Sequence, residues 1–372
     1  MPTPAYIIGD YIITPLGQTT EENFEAISNG VSGIQLHTNT RVGNFYASVL
    51  NKETFSNIGS HTYLESLFIQ SIQQACHAAS IEANDPDNLY VFSSTKGNIE
   101  LLQKQTTISS SLHLDQMAKS VTTYLHYPGI PLVVSNACIS GVQAIGLAYT
   151  LLHQGKYKRA IVTGGDLFSF FVLAGFYSLQ AISPFPCTPF DKKRAGISLG
   201  EGCGTIILTL EPNPTSIQIK AVASSNDANH ISGPSRTGDG LALAIQSVFQ
   251  ATGKTPEDIQ FINAHGTGTI YNDEMESLAF QRCGLAQVPV NSLKGYIGHT
   301  LGAAGIIETI LTARSLQHNQ LLTSAGFQEI GTSVPLPVIT ENHTGNYTCA
   351  LKTASGFGGG NAVLLLEKQV SS

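Results

Sequence analysis

A chain of 372 residues, 42% hydrophobic and 12% charged, carries enough apolar material for two domains or one large fused pair and is no disordered chain. Its 19 Lys and Arg against 26 Asp and Glu leave a net charge of -7, and no basic stripe interleaved with aromatics runs through it, which argues against nucleic acid as a partner. The six cysteines, Cys76, Cys138, Cys187, Cys203, Cys283 and Cys349, form no CxxC pair, so neither a zinc site nor a disulfide framework is indicated and a reduced, cytoplasmic protein is expected. The opening MPTPAYIIGDYIITPLG has no basic region and carries Asp10, unlike a signal peptide. No stretch offers the roughly 20 uninterrupted apolar residues of a membrane span.

In chain order, residues 5–9 read as a strand, and Pro15-Leu16-Gly17 as a turn feeding a helix over 20–28. Residues 30–60, rich in Ser, Asn and Thr, read as loop with short strands. Leu64, Leu67, Phe68, Ile72 and Ala75 share a helical face and predict a helix over 62–80. A strand over 89–93 follows, then two helices within 99–124, broken by the Thr/Ser run at 106–111. The apolar run 131–134 meets small and polar residues at 135–141, and apolar sequence continues to Leu152. That pattern predicts a buried strand, a tight turn carrying Cys138, and a buried helix beside it.

Next come a strand at 159–163, a break at Gly164-Gly165-Asp166, and an aromatic stretch at 168–177 whose helical spacing predicts core. The loop 184–204 is dense in Pro, Gly and charge, and its Lys192-Lys193-Arg194 reads as a solvated segment. After a strand at 205–210, Glu211-Pro212-Asn213-Pro214 is the best boundary in the chain. The second part has strands at 217–223, 260–264, 347–353 and 361–367, and helices at 240–250, 272–282 and 302–316. Alternation on both sides of the boundary predicts layered α/β architecture with sheets buried under helices. No short-period repeat is present, so any duplication is one of structure.

Four segments carry unusual chemistry. Cys138 precedes a helix, where unpaired backbone N–H groups and the helix dipole favour a thiolate; on that stretch alone a nucleophile and a small buried hydrophobe are equally open. NAHGTGT at 263–269 follows a strand, which places His265 at a strand end. NSLKGYIGHT at 291–300 puts Lys294 and His299 in a glycine-punctuated loop before a helix. TASGFGGGN at 353–361 is a glycine-rich turn between strands, where backbone N–H groups can face a ligand, though it lacks the spacing and basic residue of a phosphate loop. Singly, a loop histidine is most often structural and a glycine run most often a turn. Together they supply a thiol, two imidazoles, an ammonium and a candidate oxyanion hole, which is hard to ascribe to coincidence.

NACISG, then NAHGTGT with Asn272, Asp273 and Glu276 behind it, then SLKGYIGHTLGAAG, then SGFGGGNA resemble, in order and approximate spacing, the β-ketoacyl-acyl-carrier-protein synthases. These are the elongating condensing enzymes of the thiolase superfamily, including polyketide ketosynthases. CTPFDKKRAGISLGEGCGTIIL and ITPLG fit as well, so the resemblance spans almost the whole chain. It implies a thiolase-like, five-layered αβαβα fold made of two similar halves, roughly 1–213 with the nucleophile and 214–372 with the two histidines. It implies a twofold dimer, either a homodimer or a heterodimer with a related ketosynthase-like subunit.

The same resemblance implies site roles. Cys138 would take an acyl group from an acyl carrier protein, with the backbone of Cys138 and Phe357 as oxyanion hole. His265 and His299 would stabilise the enolate left when a malonyl carrier loses CO2, and Lys294 with Glu276, as the family's charged pair, would organise them. Thr267 and Thr269 would bind the phosphopantetheine arm; it arrives on the carrier, so no metal or resident cofactor is expected. Departures are a short first half around residues 30–130, Ser355 where many members carry a second Phe, and Gly360 where Thr is common. They suggest a more open pocket mouth or a more mobile loop, suited to a specialised acyl chain such as a polyene. The rival readings are a non-catalytic chain-length-factor-like partner subunit, a thiolase acting on coenzyme A thioesters, and a decarboxylase without condensation.

Overall fold

In the first half, β1 (Ala5–Ile13) leads to α1 (Thr20–Ser28), which is capped by the Thr19 side chain accepting from Glu22 N. Short strands β2 (Gln35–Asn39) and β3 (Gly43–Ser48) lie where loop with short strands is expected. α2 (Tyr63–Ala79) opens on a capping box of Thr62 and Glu65 and buries the five apolar residues of its predicted face. After β4 (Asn88–Ser93), the first of the two helices expected within 99–124 closes only a 3-10 turn at Ile99–Gln103. Asn98 explains this: its Nδ2 donates to Ser111 O at 3.0 Å, so the chain doubles back where a helical rod would have carried the two residues far apart. α3 (Leu114–Tyr124) is the second helix, followed by β5 (Leu132–Val134), α4 (Ser140–His153), β6 (Arg159–Asp166), α5 (Phe170–Ser178), β7 (Leu199–Gly200) and β8 (Gly202–Thr209).

The second half runs β9 (Ile217–Asn226), α6 (Asp239–Thr252), β10 (Phe261–Asn263), α7 (Ile270–Arg282), β11 (Val290–Asn291), the one-turn α8 (Lys294–Ile297) and α9 (Ala304–His318). It closes with β12 (Gln320–Leu321), β13 (His343–Thr344), β14 (Cys349–Gly356) and β15 (Gly360–Lys368). The computed structural model describes residues 3–40, 42–53, 55, 57–103, 109–213, 216–227 and 233–369. Thr106, Thr107 and Ile108 of the expected helix break, and Pro214 of the expected boundary, lie outside the described residues.

Among the described residues ten strands form one sheet in the order β11-β10-β14-β15-β9-β1-β8-β6-β4-β5. Split at the β9/β1 pairing, it gives two sets of five with the same plan. In each, the first strand pairs antiparallel with the last, the last antiparallel with the fourth, and the fourth, second and third then run parallel. The duplication expected in structure and absent from sequence is this shared order. α4 packs against β4, β6 and β9, and α9 against β8, β6, β14 and β15, so these two helices form the middle layer. α2 and α3 cover the outer face of the first set and α6 with α7 that of the second, which completes five layers.

The middle layer is close-packed at two glycines. A Cβ on Gly141 of α4 would sit 2.8 Å from Ile306 N, and one on Gly305 of α9 would sit 2.5 Å from Val142 N, so backbone meets backbone there. Around this crossing Val142, Ile145, Ala148, Ile306, Ile307 and Ile310 are buried in one cluster with Val91, Val162, Leu208 and Leu364 of the sheet. Each fully buried Val, Leu or Ile contributes about 1.5–3 kcal/mol of transfer free energy, which holds the loops ahead of α4 and α9 in fixed positions.

Candidate active site

Both central helices are preceded by loops that meet in one cavity of about 250 Å³. Cys138, His265, His299, Thr267, Thr269 and Phe357, six of the residues singled out in the sequence, line it. Cys138 lies two residues before α4, and Ala137 ahead of it takes φ +45°, a left-handed conformation that costs a non-glycine residue of order 1–3 kcal/mol. This strained turn presents the thiol to the cavity. His265 follows the end of β10, and the His265 and His299 rings meet edge to face at 5.2 Å between centroids. The candidate ligand atoms of Cys138, His265 and His299 all lie within 4.8 Å of one another.

Leu301 N–H donates to His299 Nδ1 at 3.3 Å, which leaves the ring proton on Nε2. His299 Nε2 and His265 Nδ1 are buried without a hydrogen-bond partner among the described residues. Burial first, and then the charges of Lys294 and Lys352, hold both imidazoles well below their ordinary range, so both rings are neutral. Burial also pushes the Cys138 thiol up to about 11, with Lys294 acting in the opposite sense. The thiolate expected from the helix N-terminus is therefore opposed by the apolar surroundings, and the resting group is a thiol. A thiol with two imidazoles is a donor set that a soft cation accepts only once the sulfur is deprotonated. The two unpartnered ring nitrogens equally suit a polarised carbonyl oxygen.

The glycine loop closes on Cys138. A Cβ on Gly356 would lie 3.1 Å from Cys138 N, which puts the segment carrying Phe357 against the Cys138 amide. Phe357 stacks on Phe176 at 5.4 Å, and Phe176 lines the cavity. The aromatic stretch expected to be core is divided: Val172 and Leu173 are buried with Phe168 and Phe176 packed against their cluster, Phe176 also lines the cavity, and Phe170, Phe171 and Tyr177 are exposed. Its helical spacing is right, and Phe176, one turn on from Val172 and Leu173, extends their buried face to the cavity while the other face is exposed. At its base the glycine loop is tied down, with Asp227 N donating to Gly359 O at 2.7 Å, Asn226 Nδ2 to Gly358 O at 3.0 Å, and Ser355 Oγ to Asn361 Oδ1 at 2.8 Å. Ser355 thus acts as an anchor of the loop.

Behind the cavity stand the charged groups, and one expected pairing is wrong. Lys294 Nζ pairs with Glu308 at 2.6 Å, not with Glu276, and donates to His265 O at 2.6 Å. Glu276 accepts from His265 N at 2.8 Å, Gly266 N at 2.7 Å, Asn272 Nδ2 at 2.9 Å and Thr353 Oγ1 at 2.9 Å, so it holds the backbone of the His265 loop. The reason is position: Glu276 on α7 faces the N–H groups that the turn after β10 leaves open, while α9 carries Glu308 under the α8 turn. Lys294 itself sits in α8 and not in an open loop. Lys352 shares Glu308 from the other side at 2.6 Å. Neither Glu308 nor Lys352 was singled out from sequence, although each is a lone charge in an apolar segment, GIIETIL and CALKTAS.

Asp273 accepts from Thr267 N at 2.9 Å and Phe190 N at 2.7 Å, which joins the threonine turn to the Pro-Phe-Asp loop. The basic cluster there is not wholly solvated as expected. Arg194 is buried and donates to Thr269 O, Ile270 O and Asp191 O, because its guanidinium satisfies the carbonyls that end this turn, while Lys192 pairs with Glu329 at the surface.

Comparison with known proteins agrees with this geometry. Residues 64–212 match the family described as beta-ketoacyl synthase, N-terminal domain, and residues 217–328 match beta-ketoacyl synthase, C-terminal domain. The chain belongs to the β-ketoacyl synthase family. A 3-oxoacyl-[acyl-carrier-protein] synthase 2 of Vibrio cholerae is 28% identical over 408 residues, covering 97% of this chain and 98% of the relative. Nodulation protein E of Rhizobium leguminosarum bv. trifolii is 31% identical over 262 residues, 68% of this chain and 65% of its own. A chain of the solved complex between a ketosynthase and its chain length factor from Xenorhabdus doucetiae superposes with a TM-score of 0.89 at 25% identity, covering 98% of each chain. The thiolase-like fold with its large mixed sheet is that of these synthases. Among the described residues no helix is long and apolar enough to cross a membrane.

Proposed function

We propose that this chain is a β-ketoacyl-acyl-carrier-protein synthase, joining an acyl group held on Cys138 to a malonyl unit by decarboxylative Claisen condensation. The observation that carries this reading is a thiol meeting two neutral imidazoles with unpartnered nitrogens, in one cavity, with a glycine loop against the thiol's own amide. In the first step the Cys138 sulfur adds to a thioester carbonyl carbon. The backbone N–H groups of Cys138 and Phe357 hold the oxyanion, and the carrier thiol leaves with the proton that Cys138 gives up. Since burial keeps the thiol protonated at rest, proton loss accompanies attack, with the N-terminus of α4 favouring the charge on sulfur.

In the second step a malonyl thioester loses CO2, and the electron pair of the broken C–C bond moves onto the thioester oxygen. His299 Nε2–H and the His265 ring donate to that oxygen. The enolate carbon then attacks the acyl-Cys138 carbonyl, the sulfur leaves, and a β-ketoacyl chain departs on the carrier. The hydroxyls of Thr267 and Thr269, 2.9 Å apart on the cavity wall, suit the amides of a phosphopantetheine arm. An acyl carrier protein brings that arm, so no resident cofactor is needed. Lys294 and Glu276 act by orienting the His265 loop.

The halves divide at 213/214, which the repeated strand order supports. A second subunit, identical or ketosynthase-like, docks along β5, an edge strand of the sheet that is preceded by Ile130, 78% exposed. The reduced side-chain bulk at Ser355 and Gly360 supports a specialised acyl chain, polyene or polyketide-like. Six free, buried cysteines suit a cytoplasmic setting. A non-catalytic chain-length-factor role is disfavoured by the intact thiol and histidine pair.

Intact mass spectrometry after incubation with acyl carriers of several chain types, followed by malonyl carrier, tests the proposal. The expected result is an acyl adduct on wild type, none on Cys138→Ala, and loss of the adduct with release of a β-ketoacyl carrier once malonyl carrier is added. Absence of an adduct from every carrier would overturn it.

A further inference from the structure

Lys294 and Lys352 are both 0% exposed and lie 2.6 Å from opposite oxygens of one carboxylate, Glu308, itself 1% exposed. Two ammonium groups against one carboxylate leave excess positive charge in the interior, and such a charge is costly unless its surroundings use it. The other donors of Lys352 reach backbone oxygens: Thr353 O at 2.6 Å, and Asn263 O and Ala264 O at 3.5 Å each. Asn263 and Ala264 immediately precede His265, so Lys352 ties β14 to the strand end from which that ring projects. Lys294 does the same from α8 through His265 O. Lys352 does not line the cavity, yet its charge reaches both imidazoles.

We propose that Lys352 is a positioning residue for decarboxylation: by sharing Glu308 with Lys294 and holding the strand end before His265, its ammonium supplies a second buried positive charge behind His265 and His299 that favours negative charge on the thioester oxygen before them. This rests on the condensing-enzyme reading above. Acylation of Cys138 uses the amides of Cys138 and Phe357 and does not depend on that charge. The charged groups facing Lys352 are Glu308 from α9, Lys294 from α8 and, farther away, Glu276 from α7. Burial lowers its ammonium to about 8, with Glu308 opposing and Lys294 adding to the fall. The second charge is therefore present below that pH and lost as pH rises through it.

Lys352→Met keeps the length without the charge, and Lys352→Gln keeps a donor without the charge, so the Gln variant carries the test should the Met variant not fold. Acylation by mass spectrometry and CO2 release from malonyl carrier are measured across pH in each, beside wild type. The expected result is acylation within about twofold of wild type and decarboxylation slowed by about tenfold or more below pH ~8. The wild-type rate should fall as pH rises through about 8, a fall the variants lack. Decarboxylation at the wild-type rate, an alkaline fall shared by variant and wild type, or a parallel loss of acylation and decarboxylation would each overturn the proposal. A wild-type enzyme that accepts no acyl group would instead sink the condensing-enzyme reading itself, so the two failures are distinguishable.

Discussion

The two halves share one strand plan and put opposite chemistry at the same place in it. In each, the third strand, β5 or β11, leads into a central helix, α4 or α9, directly through a turn in the first half and by way of α8 and a second turn in the other. The first-half turn carries Cys138, and the buried face of α4 behind it is uncharged: Ser140, Gly141, Val142, Ala144, Ile145, Ala148 and Leu152. The second-half turn carries His299, and α9 buries Glu308 between two lysines. An apolar wall suits the proposed nucleophile, which would stay protonated until a thioester arrives. The proposed hydrogen-bond donors are served by the opposite, a buried charge network that orients backbone and adds to burial in depressing imidazole basicity. Duplication thus provides two converging loops, and the residues of the central helices decide which chemistry each performs.

The sharpest way to break this comparison is to disable one half and ask whether the other still works. His265→Ala and His299→Ala should each keep acylation of Cys138 while losing decarboxylation by roughly 10²-fold or more, read as CO2 release from malonyl carrier. A mutant of either histidine that turned over malonyl carrier normally would show that the division of labour is wrong. A smaller effect, on stability, is expected at the network itself. Glu308→Gln leaves two buried ammonium groups without a counter-charge and should destabilise by about 3–5 kcal/mol in denaturant unfolding. Burial raises the Glu308 carboxyl but the two lysines lower it by more, so its folded value lies below the ordinary one. Its contribution is then fully present above the ordinary carboxylate range and disappears as pH falls through the lowered folded value. The gap between wild type and Glu308→Gln should close only in acid; a gap independent of pH down to that range would argue that Glu308 acts by packing.

The asymmetry of the halves also explains what could be read without coordinates. Cys138, His265 and His299 each stand in a short contiguous segment at a strand or helix end, where residue type and local punctuation predict a turn, and a turn can deliver a side chain to a site. Thr267, Thr269 and Phe357 were offered by the family resemblance, and all three line the cavity. Glu308 and Lys352 were not, since their partnership arises only when α9 packs against β14. The family resemblance offered Glu276 for Lys294, and only packing shows that Glu276 faces backbone amides instead. The helix of 168–177 was legible as a helix but its role was not, because hydrophobicity marks both a core face and a cavity wall, and Phe176 belongs to the wall. The β4 to α3 region was misread where Asn98, just ahead of the expected helix, bonds Ser111 O thirteen residues on, a contact that local pattern does not show.

The smallest expected effect concerns the crossing that brings the two helix heads together. Gly305→Ala would thrust a Cβ to 2.5 Å from Val142 N, a backbone atom that cannot rotate away, so α9 must move off α4. Overpacking of this kind costs typically 1–3 kcal/mol. Because the displaced elements are the ones that carry Cys138 and His299, condensation should fall along with stability, whereas a defect confined to one half would spare one partial reaction. Gly175→Ala in α5 is the matched control: nothing lies within 4 Å of its added Cβ, and a helical alanine is favoured over glycine by roughly 0.5–1 kcal/mol. Unfolding midpoints that rise for Gly175→Ala and fall for Gly305→Ala, with both partial reactions weakened only in the latter, would locate the coupling of the halves at this contact. Equal behaviour of the two variants would mean that the helices adapt, and that the convergence of thiol and imidazoles is set by the sheet rather than by the layer between.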